Sequence, residues 1–176
     1  MKYHVACEDT KNFVEEYHNA RCFHIKVPNI GPAQAIYYDV VALAACCRYI
    51  RDNQIEKPIV YILACRIGPF MAYFTNKIHA MGGVVYVNPD GHEWLRAKWP
   101  APVRRYWKIS ENMMTKHADL MVCDSKNIEK YIQQTYAAYK PKTTFIAYGA
   151  ECRKSILADD DERLLAWYAE KGLAPK

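Results

Sequence analysis

Strand-like apolar runs and amphipathic helical segments alternate along this chain from residue 21 onward. Residues 58–65 and 120–123 are short continuous apolar runs, which is typical of strands buried on both faces of a parallel sheet. Residues 36–53 carry apolar side chains at three- and four-residue spacing, which predicts an amphipathic helix. Right-handed crossovers join such alternating elements. The sequence therefore predicts a three-layer α/β domain with a mainly parallel sheet.

The other predicted elements continue this alternation. Further strands are expected at residues 3–7, 21–27, 84–87 and 143–148. Further helices are expected at residues 69–81, 100–117 and 125–139. Residues 8–20 are polar and are expected to form a loop between the first two strands. The pattern does not determine the order of the strands in the sheet.

The composition fits a single soluble domain. Of the 176 residues, 51% are hydrophobic and 24% are charged, which excludes the class of disordered chains. No apolar run approaches the roughly 20 residues of a membrane span, and residues 1–5 do not resemble a secretory signal. The seven cysteines are odd in number and lie mostly inside apolar runs, so we expect them to be reduced. These features predict a cytoplasmic protein.

A cluster of polar side chains follows the predicted strand at residues 84–87. Pro89 cannot donate to a strand ladder and Gly91 permits a positive φ, so the chain leaves the sheet at this turn. Asp90 and Glu93 therefore lie just beyond the carboxyl end of a strand, where open α/β sheets bind ligands. Two interpretations stay open. The turn is only structural, or Asp90 or Glu93 acts as a base or binds sugar hydroxyls.

Residues 94–117 form the one basic and aromatic part of the chain, which we call the basic aromatic segment. It contains six basic residues and a single acidic residue, Glu111. A solvated face, a nucleic-acid surface and a surface against anionic lipid all fit this composition. We favour the lipid surface, because tryptophans beside basic residues are typical of membrane interfaces and no nucleic-acid-binding module accompanies them. The residues expected to face the membrane are Trp94, Trp99, Arg104, Arg105, Trp107 and Lys108.

Several motifs that carry known chemistry are absent from the sequence. Neither a dinucleotide fingerprint nor a phosphate-binding P-loop follows any predicted strand. The pair His92 and Glu93 does not continue to the His-Glu-x-x-His motif of metalloproteases. The cysteines and histidines of residues 1–24 lack the paired short spacings of structural zinc sites. The sequence thus predicts no metal site and no bound cofactor.

Short segments spread over nearly the whole chain resemble a known family. They are residues 30–33 (Ile-Gly-Pro-Ala), 35–39 (Ala-Ile-Tyr-Tyr-Asp), 64–69 (Ala-Cys-Arg-Ile-Gly-Pro), 88–99 (Asn-Pro-Asp-Gly-His-Glu-Trp-Leu-Arg-Ala-Lys-Trp), 117–120 (His-Ala-Asp-Leu), 123–128 (Cys-Asp-Ser-Lys-Asn-Ile) and 145–150 (Phe-Ile-Ala-Tyr-Gly-Ala). Together they resemble the N-terminal domain of bacterial rhamnosyltransferases of glycosyltransferase family 4. The resemblance implies a Rossmann-like three-layer α/β/α domain, which is the N-terminal half of a GT-B fold.

The same resemblance implies an activity. Such enzymes transfer rhamnose from dTDP-rhamnose to a lipid-linked saccharide acceptor, and thereby build cell-surface polysaccharides at the cytoplasmic face of the membrane. They are generally retaining and independent of metal ions. This implies a peripheral membrane protein at the inner face of the cell membrane. It also gives the basic aromatic segment a function, because the acceptor lies in the membrane.

The resemblance also implies roles for individual residues. Asp90 matches the family's catalytic carboxylate on the acceptor side, which orients or deprotonates the attacking hydroxyl. The residues expected to bind the acceptor are Asn88, His92, Glu93, Arg66, Ser125 and Lys126. The nucleotide sugar is expected to bind to a second domain of the family.

The chain departs from the family pattern at both ends. Residues 1–150 match the acceptor-binding domain without its first strand and glycine-rich loop, and residues 151–176 match the hinge and the start of the crossing to a donor domain. We therefore expect the chain alone to be inactive and to pair as a homodimer through exposed sheet edges. The alternative is a non-catalytic module that binds glycolipid or membrane.

Overall fold

The computed structural model of the chain describes residues 2–149, 156–158 and 160–173. The strands are β1 Tyr3–Asp9, β2 Phe13–Tyr17, β3 Ala20–Lys26, β4 Ile59–Leu63, β5 Val84–Asn88, β6 Leu120–Cys123 and β7 Thr143–Phe145. The α-helices are α1 Gln34–Asp52, α2 Gly68–His79, α3 Ala101–His117, α4 Lys126–Thr135 and α5 Glu162–Glu170. Residues 151–155, Asp159 and residues 174–176, which belong to the predicted hinge and crossing, lie outside the described residues, as does residue 150.

Four strands form an all-parallel sheet in the order β4-β5-β6-β7. A helix joins each strand to the next, with α2 between β4 and β5, α3 between β5 and β6, and α4 between β6 and β7. This arrangement is a Rossmann-like three-layer α/β fold. The predicted fold class is confirmed, because each predicted apolar run of the alternation forms a strand and each amphipathic segment forms a helix.

The core lies between this sheet and its helices. Val60 and Ile62 of β4 and Val85 and Val87 of β5 are buried. They share one apolar cluster with buried side chains of the helices, which are Leu43 and Cys47 of α1, Met71 and Ile78 of α2, Met114 of α3 and Ile132 of α4. Burial of apolar surface is the main stabilising contribution to such a core. The cluster therefore holds the carboxyl ends of β4 and β5 in a fixed position relative to the helices.

Helices α2 and α3 are in close contact at Gly68. A Cβ atom at this position would lie 2.5 Å from the Cα of Ser110, so a larger residue does not fit without a shift of the backbone. The backbone N–H of Gly68 donates to the Oγ of Ser110 at 2.8 Å, and Ser110 is fully buried. Because Gly68 directly follows the loop after β4, this contact fixes α3 against that loop.

A second sheet contains the first three strands in the order β1-β3-β2. The chain turns between β2 and β3 at His18 and Asn19, which both have positive φ. β2 lies inside residues 8–20, so the predicted loop is wrong there. All five side chains of β2 are exposed, and a strand without a buried face leaves no alternation of apolar and polar residues in the sequence.

Strand β4 forms an edge of the parallel sheet. Among the described strands it pairs only with β5, and β1 pairs only with β3. The alternate side chains of β4 that point away from the core are Ile59, Tyr61 and Leu63, and they are 53%, 48% and 57% exposed. The sheet thus has an apolar edge strand without the charges or proline that usually protect one.

Candidate functional site

A cavity of about 260 Å³ lies where β4 and β5 end. The loop after β4, the turn after β5 and one side of α3 surround it. Its aromatic walls are the rings of Trp94, Trp99 and Trp107. Its acidic residues are Asp90, Glu93 and Glu111, and its basic residues are Arg66, Arg96 and Lys98. Open α/β sheets bind their ligands at this edge of the sheet, so the cavity is the candidate site.

The turn after β5 is built by Asn88. Its buried side chain accepts a hydrogen bond from the backbone N–H of Asp90 at 2.7 Å and donates to the hydroxyl of Tyr148 at 3.1 Å. Asn88 itself does not line the cavity. Asp90 has a left-handed backbone with a φ of 61°, which is costly for a residue other than glycine. Its carboxylate lines the cavity and has no hydrogen-bond partner among the described residues.

Glu93 holds one wall of the cavity in place. Its carboxylate accepts from the indole N–H of Trp99 at 2.6 Å and pairs with Arg96 at 2.8 Å and Lys98 at 3.3 Å. Partial burial opposes ionisation of Glu93, but these donors and charges outweigh it, so the pKa of this carboxyl lies below its ordinary value. The carboxylate of Glu93 is thus already occupied by Trp99, Arg96 and Lys98, whereas the carboxylate of Asp90 has no partner among the described residues. Of the two carboxylates that the sequence left open as a base, the geometry therefore favours Asp90.

Arg66 reaches the cavity from the loop after β4. Its Nε donates to the Oδ2 of Asp39 at 2.8 Å, and its backbone carbonyl accepts from the hydroxyl of Tyr106 at 2.7 Å. Asp39 is buried in α1. Burial raises the pKa of Asp39 to about 6, although the guanidinium of Arg66 opposes this shift. Asp39 was not predicted from the sequence, because its partner lies 27 residues away.

A buried cluster of polar side chains surrounds Glu111. Its Oε1 accepts from the hydroxyls of Tyr131, at 2.5 Å, and Tyr136, and from the Nζ of Lys108 at 3.3 Å. Burial and the carboxylate of Glu111 raise the pKa of Tyr136 far above its ordinary value, so this hydroxyl stays a donor. Lys108 also lies 4.4 Å from the ring centroid of Trp94. The cluster joins α3 to α4 beside the cavity.

Besides Asn88, three further residues predicted to bind the acceptor do not line the cavity. The ring of His92 contacts those of Tyr131 and Trp94, with centroids 4.2 and 5.8 Å apart. Ser125 caps the N-terminus of α4, because its Oγ accepts from a backbone N–H two residues later at 3.2 Å. Lys126 lies over the ring of Phe145, at 5.8 Å from its centroid. Of the predicted acceptor residues, Arg66 and Glu93 lie with Asp90 at the cavity.

The residues predicted to face a membrane divide into two groups. Trp107 is only 5% exposed, so its assignment to a membrane surface is wrong. Trp99 and Lys108 turn inward to Glu93 and Glu111. Arg104 and Arg105 are exposed and line a shallow surface groove together with Trp94, the exposed Leu95 and Ala101. Within the described part of the chain, no helix has the length and apolar character required to cross a membrane.

Neither a reactive thiol nor a metal centre is evident at the cavity. Cys65 lines the cavity, but burial raises the pKa of its thiol well above the ordinary value, so it stays protonated. Across residues 2–149, 156–158 and 160–173, no group of three His, Cys, Asp or Glu side chains is arranged to hold a metal ion. The charged side chains that line the cavity are carboxylates and cations, beside three tryptophan rings.

The parallel sheet defines a Rossmann-like α/β domain, and the cavity at its carboxyl edge is a candidate ligand site at the usual place for this fold. Residues 1–151 match the family described as "Domain of unknown function (DUF1972)". Because the match spans most of the chain, the chain belongs to this family. Among curated proteins, none matches the chain.

Proposed function

We propose that this chain is the acceptor-binding part of a glycosyltransferase that transfers rhamnose from dTDP-rhamnose to a lipid-linked saccharide in cell-surface polysaccharide synthesis. The family is associated with glycosyltransferase-like proteins, which supports the general class. The segments that resemble rhamnosyltransferases support the particular sugar. The observation that carries the proposal is the free carboxylate of Asp90, which lies in a strained turn beside a cavity walled by tryptophans.

The side chains that line the cavity are suited to bind a saccharide. Aromatic rings provide broad apolar surfaces for the C–H faces of a sugar ring, and carboxylates accept hydrogen bonds from its hydroxyls. Trp94, Trp99 and Trp107 supply the rings. In this proposal Asp90 accepts the proton, or the hydrogen bond, of the hydroxyl that attacks the donor sugar. Arg66 lies at the same cavity and contributes positive charge to the site.

The surface groove supports delivery of the acceptor from a membrane. Arg104 and Arg105 are exposed there without a carboxylate partner among the described residues, and Leu95 beside them is 58% exposed. Exposed arginines next to apolar side chains suit a surface of anionic lipid headgroups. The groove and the cavity share Trp94. A lipid-linked saccharide bound with its lipid end at the groove would therefore extend its sugar toward Asp90.

The test is a transfer assay with membranes that contain the lipid-linked acceptor, with dTDP-rhamnose and with the donor domain of a family member supplied. Replacing Asp90 by asparagine (Asp90→Asn) keeps the size of the side chain and removes its basicity. We expect the rate of rhamnose transfer to fall about 10²- to 10⁴-fold. Asp52→Asn, at an exposed aspartate paired with Arg51, is the control and should keep the full rate.

The same assay decides between the enzyme and a non-catalytic binding module, which the exposed groove also suits. Full transfer activity of Asp90→Asn contradicts the role of Asp90. If the unmodified chain binds the glycolipid but transfers no rhamnose, with or without the donor domain, the result supports the binding module instead.

A further inference from the structure

Two buried polar side chains of α3 line the cavity side by side. Trp107 and Glu111 are four residues apart, so they lie on the same face of the helix. Trp107 is 5% exposed and Glu111 is 3% exposed, and both line the cavity. Neither was predicted from the sequence to bind a ligand. Each of the two side chains has one polar atom without a hydrogen-bond partner among the described residues.

The indole N–H of Trp107 is buried and has no hydrogen-bond partner among the described residues. Native proteins rarely leave such a donor unsatisfied, because an unpaired buried donor is destabilising. An indole N–H can only donate. A ligand group that pairs with Trp107 must therefore be an acceptor, such as an oxygen atom.

Glu111, in contrast, can accept a further hydrogen bond from a ligand. Its Oε1 is already occupied by Tyr131, Tyr136 and Lys108. These three hydrogen bonds all go to Oε1, and no described residue donates to Oε2, although each carboxylate oxygen can accept. A ligand group that pairs with Oε2 must therefore be a donor. The three donors on Oε1 fix the carboxylate in one orientation before any ligand arrives.

A hydroxyl group is both a donor and an acceptor, so it can satisfy both residues. We propose that Trp107 and Glu111 form a subsite that binds a ring hydroxyl, or two adjacent ring hydroxyls, of a neutral sugar. An ammonium group would leave the indole N–H unpaired, and a carboxylate would be repelled by Glu111. This inference rests on the proposed function, because it names the groups that hold the acceptor sugar in the same cavity.

The test is titration of the full 176-residue chain, labelled with ¹⁵N, with methyl α-L-rhamnopyranoside and with methyl β-D-glucopyranoside. Each sugar that binds should shift the indole ¹H–¹⁵N signal of Trp107, which is assigned by its absence in Trp107→Phe. Glu111→Gln should raise the dissociation constant about tenfold or more, because a hydrogen bond to a charged group is lost. Trp167→Phe and Glu16→Gln, which lie away from the cavity, should change neither measurement.

A set of monodeoxy glycosides separates ligand binding from a structural role. Removal of the bound hydroxyl should weaken binding to the unmodified chain and should have little further effect in Glu111→Gln. If Glu111→Gln does not fold, the same comparison is made with Trp107→Phe.

Two outcomes contradict the subsite. In the first, sugars bind while the Trp107 indole signal and the affinity of Glu111→Gln stay unchanged, so that the pair only joins α3 to α4. In the second, neither sugar binds at the highest soluble concentrations. The transfer assay on Asp90→Asn decides the proposed function separately from both.

Discussion

At the scale of single residues, the pair of Asp39 and Arg66 gives the chain a pH-dependent stability. Burial raises the pKa of Asp39 to about 6 from an ordinary value of 3.8. Between these two values the folded chain binds more protons than the unfolded chain. The free energy of unfolding therefore decreases as the pH rises from about 4 to about 6. At neutral pH the ionised Asp39 destabilises the fold while it orients Arg66 at the cavity.

We predict that Asp39→Asn is more stable than the unmodified chain at neutral pH. The substitution removes a buried charge, so the free energy of unfolding should rise by about 2 kcal/mol near pH 7, and the difference should vanish near pH 4. Urea denaturation at both pH values measures it. Asp52→Asn changes an exposed residue and should have no effect. A variant that is less stable near pH 7 would show that the ion pair outweighs the burial.

The residues at the cavity were only partly predictable from the sequence. The end of the strand at residues 84–87 predicted Asp90 and Glu93, and the resemblance to rhamnosyltransferases implied Arg66. Glu111 was not predicted as part of the site, because its partners Tyr131 and Tyr136 are 20 and 25 residues away and belong to another helix. A single acidic residue among six basic ones also resembles part of a solvated surface.

At the scale of elements, α3 has two faces with different tasks. The buried positions Trp107, Ser110, Glu111 and Met114 follow the spacing i, i+3, i+4, i+7 of a helix face that packs against a core. This spacing was available in the sequence and would have separated Trp107 from the exposed arginines. The prediction went wrong because a tryptophan beside basic residues fits both a membrane interface and a core.

We predict that the exposed arginines of α3 carry the attraction to anionic lipid. Each arginine near such a surface contributes about 1 kcal/mol, so replacing both Arg104 and Arg105 by alanine should weaken binding to vesicles that contain phosphatidylglycerol about tenfold or more. Vesicle co-sedimentation measures this. The control replaces Arg48 and Arg51, which are exposed on α1. Equal binding by the two double variants, or strong binding to neutral phosphatidylcholine vesicles, contradicts a specific docking surface.

At the scale of the whole molecule, the strand at one edge of the parallel sheet has the composition of an interior strand. β4 reads Ile-Val-Tyr-Ile-Leu, without a charge or a proline, and yet it pairs on one side only among the described strands. The sequence predicted the strand from its apolar run. Its place at an edge was not predictable, because periodicity carries no information on which strands become neighbours.

We predict that the chain associates with itself through β4. Pairing of two β4 edges would satisfy their free backbone groups and would bring Ile59, Tyr61 and Leu63 beside the same side chains of the second copy. Sedimentation should show a dimer that dissociates on dilution, and Tyr61→Lys should shift the equilibrium to the monomer. Tyr73→Lys places the same change on the exposed face of α2 and should leave the dimer intact. A monomer at every concentration contradicts the prediction.

The contact between Gly68 and Ser110 affects how the cavity can respond to a ligand. Because no side chain of Gly68 separates α2 from α3, the wall that carries Trp107 and Glu111 has no room to move toward the loop after β4. If a sugar binds there as proposed, it would meet walls that are already in place, and little conformational entropy would be lost on binding. Selection among sugars would follow from the match of ring shape and hydroxyl direction to a rigid surface, and not from closure of a loop around the ligand.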